Sequence, residues 1–206
     1  MSQLTFDAHE PLFSSPLFRF KLADAAVLNK QLLTESAALR EAEPGLDRSN
    51  RNGWHSRDDL FHRPEPGCSA LRSHIIDAMR QATIAVSPQF DFARWQLQME
   101  GWINISGRGG YNAPHDHPAF AWSGVYYVSV PPPSKPDSGT IEFLDPRTNT
   151  RVPTIQGAAC FLDTRKLQPL PGLMLLFPSY LRHWVYPNEE ESERVSIAFN
   201  ARFIPK

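Results

Sequence analysis

Three histidines in the second half of the chain have the residue type and spacing of a metal site. His115 and His117 lie two residues apart, and His183 follows far downstream. Side chains two positions apart on an extended segment point to the same side, because strand side chains alternate with period 2. Neutral imidazole is the commonest protein ligand for first-row transition metals. The spacing therefore predicts that these three rings share one metal ion.

An arginine beyond the last of these histidines could hold a carboxylate. Arg194 starts an alternating segment in which Arg194, Ser196, Ala198 and Asn200 share one face and apolar residues take the other. Inside a barrel an arginine must be paired, since an unpaired buried charge is costly. Its planar fork suits a carboxylate, and the Ser196 hydroxyl adds a donor. The alternative is a surface Arg194 paired with a glutamate of residues 189–193.

The elements that must position these residues are predicted to be short strands. Prolines, 19 in all, concentrate after residue 110, and helical periodicity is absent there. Alternation and turn residues predict strands over 95–105, 124–130, 139–144, 173–177, 183–186 and 194–203. Several short strands of this kind indicate a sandwich or barrel. The last two strands are expected to form a hairpin, which would place His183 and Arg194 on neighbouring strands.

The first half of the chain contains two predicted helices. Asp24 is the expected N-cap of the first, which stops at Pro44-Gly45, and Ser69 that of the second, which stops at Ser87-Pro88. Both are expected to cover the outside of a sheet. Their apolar stripes are Val27, Leu28, Leu32, Leu39 and Ala42 in the first, and Leu71, Ile75, Met79 and Ile84 or Ala82 in the second.

Two segments are predicted to be irregular. Residues 46–66 are polar and are expected to form a loop, either disordered or an ordered lid or substrate wall, and the aromatic residues Trp54 and Phe61 favour the ordered form. Residues 107–110, Gly-Arg-Gly-Gly, are predicted to be a turn, with Arg108 and Trp102 near the mouth of the site.

Bulk composition favours one ordinary globular domain over residues 1–206, with helices within 24–86 and a β core over 93–204. The net charge of −1 gives no reason to expect nucleic acid or an anionic membrane as partner. No apolar stretch approaches the roughly 20 residues of a membrane span, and no signal-peptide pattern opens the chain. Cys68 and Cys160 are expected to be buried, reduced thiols of a cytoplasmic protein.

The order of these residues, a His-x-His pair, a distant histidine and then Arg-x-Ser, resembles the signature of iron(II)/2-oxoglutarate oxygenases, which is His-x-Asp, a distant histidine and Arg-x-Ser on a double-stranded β-helix fold. More closely, three segments are similar to a bacterial and phage family of 2-oxoglutarate-iron oxygenases: Tyr111 to Val128, Ile141 to Arg147 and Gly172 to Asn200. The opening over residues 11–18 and the segment 54–60 are also similar. The resemblance implies a mainly β, cupin-like jelly-roll core with flanking N-terminal helices. It names no substrate.

Carried over residue by residue, the resemblance implies roles for the polar residues. His115 matches the first metal ligand, His183 the distal ligand, and Arg194 the anchor for the far carboxylate of 2-oxoglutarate. Ser196 would assist Arg194, and Asn104 would donate to the cosubstrate from the strand before the first ligand. Tyr126 or Tyr127 also lines the pocket in this interpretation, and Asn200 shares the face of Arg194 and Ser196.

The chain departs from the wider superfamily two positions after His115, where a carboxylate is usual and His117 stands. Asp116 faces away from His115 on a regular strand, and only a bulge would turn it inward. We therefore predict a three-histidine site, with Asp116 as an outer partner or alternative ligand. The substitution keeps zinc and nickel open beside iron. The four other histidines are not predicted to bind metal: His9, His55, His62 and His74.

The resulting hypothesis is an iron(II)-dependent dioxygenase that converts 2-oxoglutarate to succinate and hydroxylates an unidentified small molecule or peptide. Two alternatives stay open. A cupin-like three-histidine metalloenzyme would need no Arg194, and a metal-free β-barrel binding module would use the histidines as hydrogen-bonding groups. An unpaired edge strand or an exposed tryptophan could support a homodimer.

Overall fold

The computed structural model of the chain describes Ala8, residues 13–147, Ile155 and residues 158–206. Three features discussed above lie outside these residues: the N-terminal stretch without a signal pattern, His9, and the first residues of the family-like opening at 11–18. Within the described part the order of elements is β1 (Phe18–Lys21), α1 (Ala25–Ala42), β2 (Asn50–His55), α2 (Pro66–Val86), β3 (Trp95–His115), β4 (Trp122–Ser129), β5 (Ile141–Leu144), β6 (Thr164–Leu167), β7 (Leu173–Pro178), β8 (His183–Val185) and β9 (Arg194–Pro205). Short 3-10 turns lie at Leu60–His62, Phe92–Arg94 and Ala159–Phe161.

One long strand, β3, organises an antiparallel sheet of order β1-β7-β4-β9-β3-β8-β5-β6, with β2 also on β3. The first part of β3 pairs with β9, from Trp95 opposite Pro205 to Ser106 opposite Arg194. Its last part pairs with β8, where His115 lies opposite His183. Because one strand changes partners along its length, the sheet curls on itself. The mainly β, double-stranded β-helix fold expected from the sequence is confirmed.

The two faces of the curled sheet have different neighbours. The outer face packs against both helices, and its sheet residues include Ile103, Tyr126, Leu176, Ile197 and Phe199. The inner face holds a second apolar cluster that includes Val125, Tyr127, Ile141, Phe143, Leu175, Phe177 and Val185. Alternation along β9 accounts for this division, since successive side chains leave opposite faces of a strand. The polar face predicted for β9 is therefore the inner one.

The helices lie where the sequence placed them, but two caps and two stripe positions were wrong. Asp24 has a left-handed backbone (φ 51) and its side chain caps nothing. Of the first predicted stripe, Val27 is 79% exposed and Ala42 is exposed as well. The second helix begins at Pro66, before Ser69. Proline is favoured in a first turn, and the Glu35 carboxylate accepts from two of the free amides there. Of the two options for the second stripe, Ala82 is buried and Ile84 is exposed.

Residues 46–66 do not form a continuous loop. Residues Asn50–His55 form strand β2 on the edge of β3, and Leu60–His62 form a 3-10 turn. Phe61 is buried against Gly101 in the helix-side core, so its predicted role in a substrate wall is wrong. The strand escaped prediction because its sequence, Asn-Arg-Asn-Gly-Trp-His, has little apolar alternation.

The glycine-rich segment 107–110 is part of β3 and not a separate turn. Register with β2 jumps here, since Arg51 pairs with Tyr111 whereas Gly53 pairs with Ser106. The extra residues on the β3 side form a bulge, and Gly109 takes the positive φ of 75 that glycine tolerates. Arg108 forms an exposed ion pair with Glu191, away from the cavity described below.

Two further expectations fail. Strands β8 and β9 are not a hairpin, because β3 lies between them in the sheet. His183 and Arg194 therefore flank β3 instead of sitting on adjacent strands. Cys68 is buried as predicted, whereas Cys160 is exposed. Among the described residues, neither helix is long and apolar enough to span a membrane.

Close packing at Gly124, in the middle of β4, gives a test of the fold. A Cβ added there would overlap the Phe199 ring and lie 2.6 Å from the Leu175 carbonyl oxygen. We expect Gly124→Ala to destabilise the protein by roughly 1–3 kcal/mol, the usual cost of overpacking a core. Urea unfolding measures this cost. Gly107→Ala is the matched control, since nothing lies within 4 Å of its added Cβ, and equal stability of the two variants would contradict this packing.

Candidate metal centre

The inner face of the sheet encloses a cavity of about 470 Å³, counting the open space at its mouth. Its polar lining comes from β3, β4, β8 and β9 and from the segments beside them: Ser49, Trp102, Asn104, Asn112, His115, His117, Tyr127, His183, Arg194 and Ser196. Its apolar lining is Gly124, Val125, Ile141, Phe177, Val185 and Ala198. The predicted ligand histidines and the predicted anchor thus open into one space.

The three histidines converge as the spacing predicted. One ligand atom from each of His115, His117 and His183 lies within 4.8 Å of the other two. The ring centroids are 4.9 Å apart for His115 and His117, 4.5 Å for His115 and His183, and 5.4 Å for His117 and His183. Among the described residues this is the only such cluster of histidine, cysteine or acidic side chains. Its donor set is that of a first-row metal site.

Strand geometry explains the convergence. His115 is the last residue of β3 and His183 the first of β8, and the two are cross-strand partners. His117 lies just beyond β3, where its backbone N–H donates to the Ser179 carbonyl. This bond holds the end of the segment beside the start of β8. The side chains of His115 and His117 therefore point in the same direction, although β3 ends at His115.

In two of the rings one nitrogen already makes a hydrogen bond to the backbone. His115 Nδ1 lies 2.7 Å from the Ala113 carbonyl oxygen, and His183 Nδ1 lies 2.9 Å from the Leu181 carbonyl oxygen. A carbonyl only accepts, so each Nδ1 carries the proton and donates it. Each Nε2 then keeps a free lone pair, which is the usual arrangement of a metal-binding histidine.

All three rings are held neutral by burial. Desolvation lowers the pKa of His183 to about 3 and of His117 to about 4, and it also lowers the pKa of His115. The neighbouring histidines add to the effect on His117 and His183, because like charges in one cluster repel. Neutral imidazoles are the form that binds metals.

These depressed pKa values predict acid sensitivity of the metal-free protein. The unfolded chain binds the histidine protons near pH 6.5 and the folded one only well below it, so stability falls as pH drops from about 6.5 towards 4. Each histidine contributes up to about 1.4 kcal/mol per pH unit. Urea unfolding with a chelator present measures the slope. We expect His183→Phe to flatten it and the exposed-site variant His74→Gln to leave it unchanged. An unaltered slope in His183→Phe would contradict the assignment.

A positive charge without a partner lies at the inner end of the cavity. Arg194 is 2% exposed, and within the described ranges no carboxylate lies within 4 Å of its guanidinium. Its Nη1 is 3.3 Å from Ser196 Oγ, its guanidinium carbon is 5.2 Å from the Tyr127 ring centre, and its Nε makes no hydrogen bond. Burial lowers the pKa of Arg194, while Tyr127 opposes the shift. The surface interpretation of Arg194 is excluded by this burial.

Other buried polar atoms around the guanidinium also lack partners. The Tyr127 hydroxyl and Asn104 Oδ1 make no hydrogen bond within the described structure. Such groups are expensive to leave unpaired. Tyr127 therefore faces the cavity, whereas Tyr126 faces the helices and donates to Asn29 Oδ1 at 2.6 Å. This settles which of the two tyrosines points inward. Two of these unpartnered groups, the Tyr127 hydroxyl and Arg194 Nε, are donors, and together with the free charge of Arg194 they fit a bound dicarboxylate.

The remaining predicted site residues divide clearly. Asp116 is exposed and does not line the cavity, so the structure brings His117 and not Asp116 into the cluster. Asn200 does not line the cavity either, but its amide lies 3.3 Å from His117 Nδ1. His55 is no part of the cluster, and it stacks on Trp102, with ring centroids 5.5 Å apart.

Two polar residues of the cavity were not predicted. Asn112 and Ser49 face the site from β3 and from the residue before β2, and Asn112 Nδ2 donates to Ser49 Oγ at 3.3 Å. The position of Asn112 three residues before His115 was a usable signal, since it opens the histidine motif. Nothing local marks Ser49, because the pairing of β2 with β3 brings it there.

All of the cavity residues from β3 onward lie in one segment that matches a family model. Residues 100–200 match the model of a family described as "Putative 2OG-Fe(II) oxygenase". This range contains the three histidines, Tyr127, Arg194 and Ser196. A sequence search of curated proteins found no significant match.

Solved structures share the fold at low sequence identity. A Pseudomonas putida prolyl-4-hydroxylase has a TM-score of 0.61 and 17% identity, covering 93% of this chain and 94% of its own. A viral collagen prolyl hydroxylase from Paramecium Bursaria Chlorella virus-1, solved as a 2OG complex, has a TM-score of 0.56 and 14% identity, and the match covers 90% of this chain and 94% of the hydroxylase. The non-heme alpha ketoglutarate dependent epimerase SnoN from nogalamycin biosynthesis has a TM-score of 0.65 and 13% identity, and the match covers 91% of this chain and 76% of SnoN.

Proposed function

We propose that this protein is a 2OG-Fe(II) oxygenase, which hydroxylates a C–H bond of its substrate while 2-oxoglutarate becomes succinate. The match of residues 100–200 to the family model supports this proposal. The cofactor is iron(II) and the cosubstrate 2-oxoglutarate. The observation that carries the proposal is the shared cavity. Three neutral imidazoles converge on one side of it, and an unpaired buried guanidinium lies at its inner end.

In this proposal His115, His117 and His183 hold the metal. The first two ligands to engage are His115 and His183, whose Nε2 lone pairs are already free. Three side-chain ligands on one side leave positions open for a keto acid and for oxygen. Because all three ligands are neutral, the charge of iron(II) is offset by the 2-oxoglutarate dianion.

Arg194 holds the far carboxylate of 2-oxoglutarate. Its fork donates to both carboxylate oxygens, and Ser196, Tyr127 and Asn104 surround the same end of the cavity. Such an ion pair forms in a dry site, where it is stronger than in water. The arrangement orients the keto acid so that its other end reaches the histidines.

When bound, iron(II) supplies the reduction of oxygen, in which 2-oxoglutarate loses carbon dioxide and one oxygen atom enters succinate while the other enters the substrate. The protein's own residues hold the reactants in position and exclude water from the cavity. Val125, Ile141 and Phe177 close the cavity with apolar surface. They keep bulk water from competing for the open positions.

The substrate enters from the side of His117 in this proposal. Arg194 is fully enclosed, whereas the His117 ring is only partly buried. The inner sheet face continues past His117 to an exposed polar rim, where Arg202 Nε donates to Gln98 Oε1 at 2.9 Å. The structural neighbours include prolyl hydroxylases and an enzyme of nogalamycin biosynthesis. We therefore propose a peptide or a small molecule as substrate.

Product formation tests the proposal. Protein incubated with iron(II), ascorbate, oxygen and 2-oxoglutarate should form succinate and carbon dioxide in equal amounts, and chelation of the metal should stop this. Candidate peptides and small molecules should raise the rate when they are hydroxylated. A cupin-like enzyme would convert its substrate without 2-oxoglutarate, and a binding module would convert nothing. Either result would contradict the proposal.

The choice of second ligand has its own test. His117→Ala should weaken metal binding by at least about tenfold, whereas Asp116→Ala should leave it within about twofold, because Asp116 is exposed outside the cluster. Competition with a chromophoric chelator measures both affinities. Loss of metal only in Asp116→Ala would mean that the segment rearranges and that a carboxylate is the ligand.

A further inference from the structure

The side-chain amide of Asn200 lies behind His117 and contacts three polar groups. Its Nδ2 is 2.9 Å from Glu100 Oε1 and 3.3 Å from His117 Nδ1. Its Oδ1 accepts a hydrogen bond of 2.7 Å from Ser123 Oγ. Asn200 and Ser123 are both buried. The amide is therefore held from three sides without help from solvent.

Only one orientation of this amide satisfies its neighbours. A carboxylate accepts hydrogen bonds and cannot donate them, so the NH2 group of Asn200 must face Glu100. The same NH2 group faces His117 Nδ1, which must then accept. A ring nitrogen that accepts a hydrogen bond is unprotonated, so this imidazole is neutral and carries a single N–H. Its proton consequently lies on Nε2.

His117 is thereby distinguished from the other two histidines. In His115 and His183 the carbonyls of Ala113 and Leu181 place the proton on Nδ1 and leave Nε2 free. In His117 the Asn200 amide donates to Nδ1, so Nδ1 keeps the lone pair and Nε2 carries the proton. The three rings converge on one point, but only two of them present a lone pair on Nε2.

We infer that Asn200, oriented by Glu100 and Ser123, is a positioning residue that holds His117 in the Nε2–H tautomer in the metal-free protein. For its consequence the inference rests on the proposed function. His117 can bind a metal through Nε2 only after that proton leaves to water, another returns to Nδ1, and the hydrogen bond from Asn200 is given up. The net charge of the ring is unchanged. His115 and His183 receive the metal, and His117 is a latent third ligand whose engagement Asn200 opposes.

Nitrogen NMR of the metal-free chain tests the tautomers directly. Long-range proton–nitrogen spectra of the full-length ¹⁵N-labelled protein with a chelator distinguish a protonated from a bare ring nitrogen, and single His→Gln variants assign the signals. We expect His117 with the proton on Nε2, and His115 and His183 with it on Nδ1. A proton on Nδ1 of His117 would overturn the inference.

The variant Glu100→Gln tests whether the orientation of the Asn200 amide sets the tautomer of His117. The new amide can donate to Asn200 Oδ1, so that Asn200 turns, gives its NH2 group to Ser123 and accepts from His117 Nδ1. We expect the His117 tautomer to switch and zinc(II) affinity to rise about tenfold. Glu142→Gln is the matched control, since this buried glutamate accepts from Trp184 and Tyr186 instead. Because the glutamine oxygen can also accept as the carboxylate does, the NMR signals of the Asn200 amide must show that it has turned; an unchanged His117 tautomer beside a turned Asn200 would overturn the assignment.

A second variant covers the case in which Glu100→Gln does not fold. Asn200→Leu removes the donor, and the His117 signals should then show a mixture of both tautomers; retention of pure Nε2–H would exclude a role for Asn200. These measurements use neither iron nor 2-oxoglutarate. If the tautomers are as inferred but succinate never forms, the proposed function fails while the role of Asn200 stands.

Discussion

Arg194→Met is expected to weaken 2-oxoglutarate binding by about 100-fold, close to 3 kcal/mol, while metal affinity stays within about twofold. Methionine fills a similar volume but cannot pair with a carboxylate. Arg194 has no carboxylate partner among the described residues and lies apart from the three histidines. Calorimetric titration of 2-oxoglutarate into protein loaded with iron(II) without oxygen measures the first effect, and chelator competition the second.

The same substitution should stabilise the protein when no ligand is bound. A buried guanidinium without a counter-charge is costly, and its replacement by an apolar side chain removes that cost. We expect a gain of roughly 1–3 kcal/mol in urea unfolding. Arg202→Met is the control, because Arg202 lies on the same strand but is exposed. If Arg194→Met destabilises the ligand-free protein, Arg194 has a structural role. If the affinity for 2-oxoglutarate is unchanged, Arg194 does not bind its carboxylate.

His183→Ala is expected to lower metal affinity by more than about 100-fold, beyond what the loss of an outer hydrogen-bond partner costs. His183 is the most enclosed of the three rings, and its Nε2 lone pair is already free. Metal content after dialysis against a weak chelator and competition titrations measure the loss. His74→Ala, an exposed histidine of α2, should bind metal as the unaltered protein does. Full metal content in His183→Ala would show that the ion binds elsewhere.

The parts of the fold that sequence patterns could predict are those governed by local alternation. Strand β9 was placed with the correct inward face, because Arg194 and Ser196 alternate with Val195 and Ile197. The two helices followed from their periodicity and from Pro44-Gly45 and Ser87-Pro88. Short strands such as β6, only Thr164–Leu167, and the polar edge strand β2 carry too little alternation to be found.

Long-range pairing accounts for what was missed. Nothing near His183 reveals that β3 lies between it and Arg194, so the predicted hairpin failed. The local sequence does not show which of Tyr126 and Tyr127 points inward, because the partner of Tyr126 on the opposite face is Asn29, far away on α1. In the same way Asn200, Glu100 and Ser123 meet only because β9, β3 and β4 are neighbours in the sheet. Sequence spacing found the histidines but not the residues that orient them.

The most direct test of the central claim is the visible absorption of protein loaded with iron(II) in the absence of oxygen and titrated with 2-oxoglutarate. A keto acid chelated to iron(II) gives a weak charge-transfer band. We predict a saturable band in the unaltered protein, its loss in His183→Ala, and its appearance in Arg194→Met only at far higher 2-oxoglutarate concentration. Protein that demonstrably holds iron but develops no band would contradict the assignment of this cavity to 2-oxoglutarate.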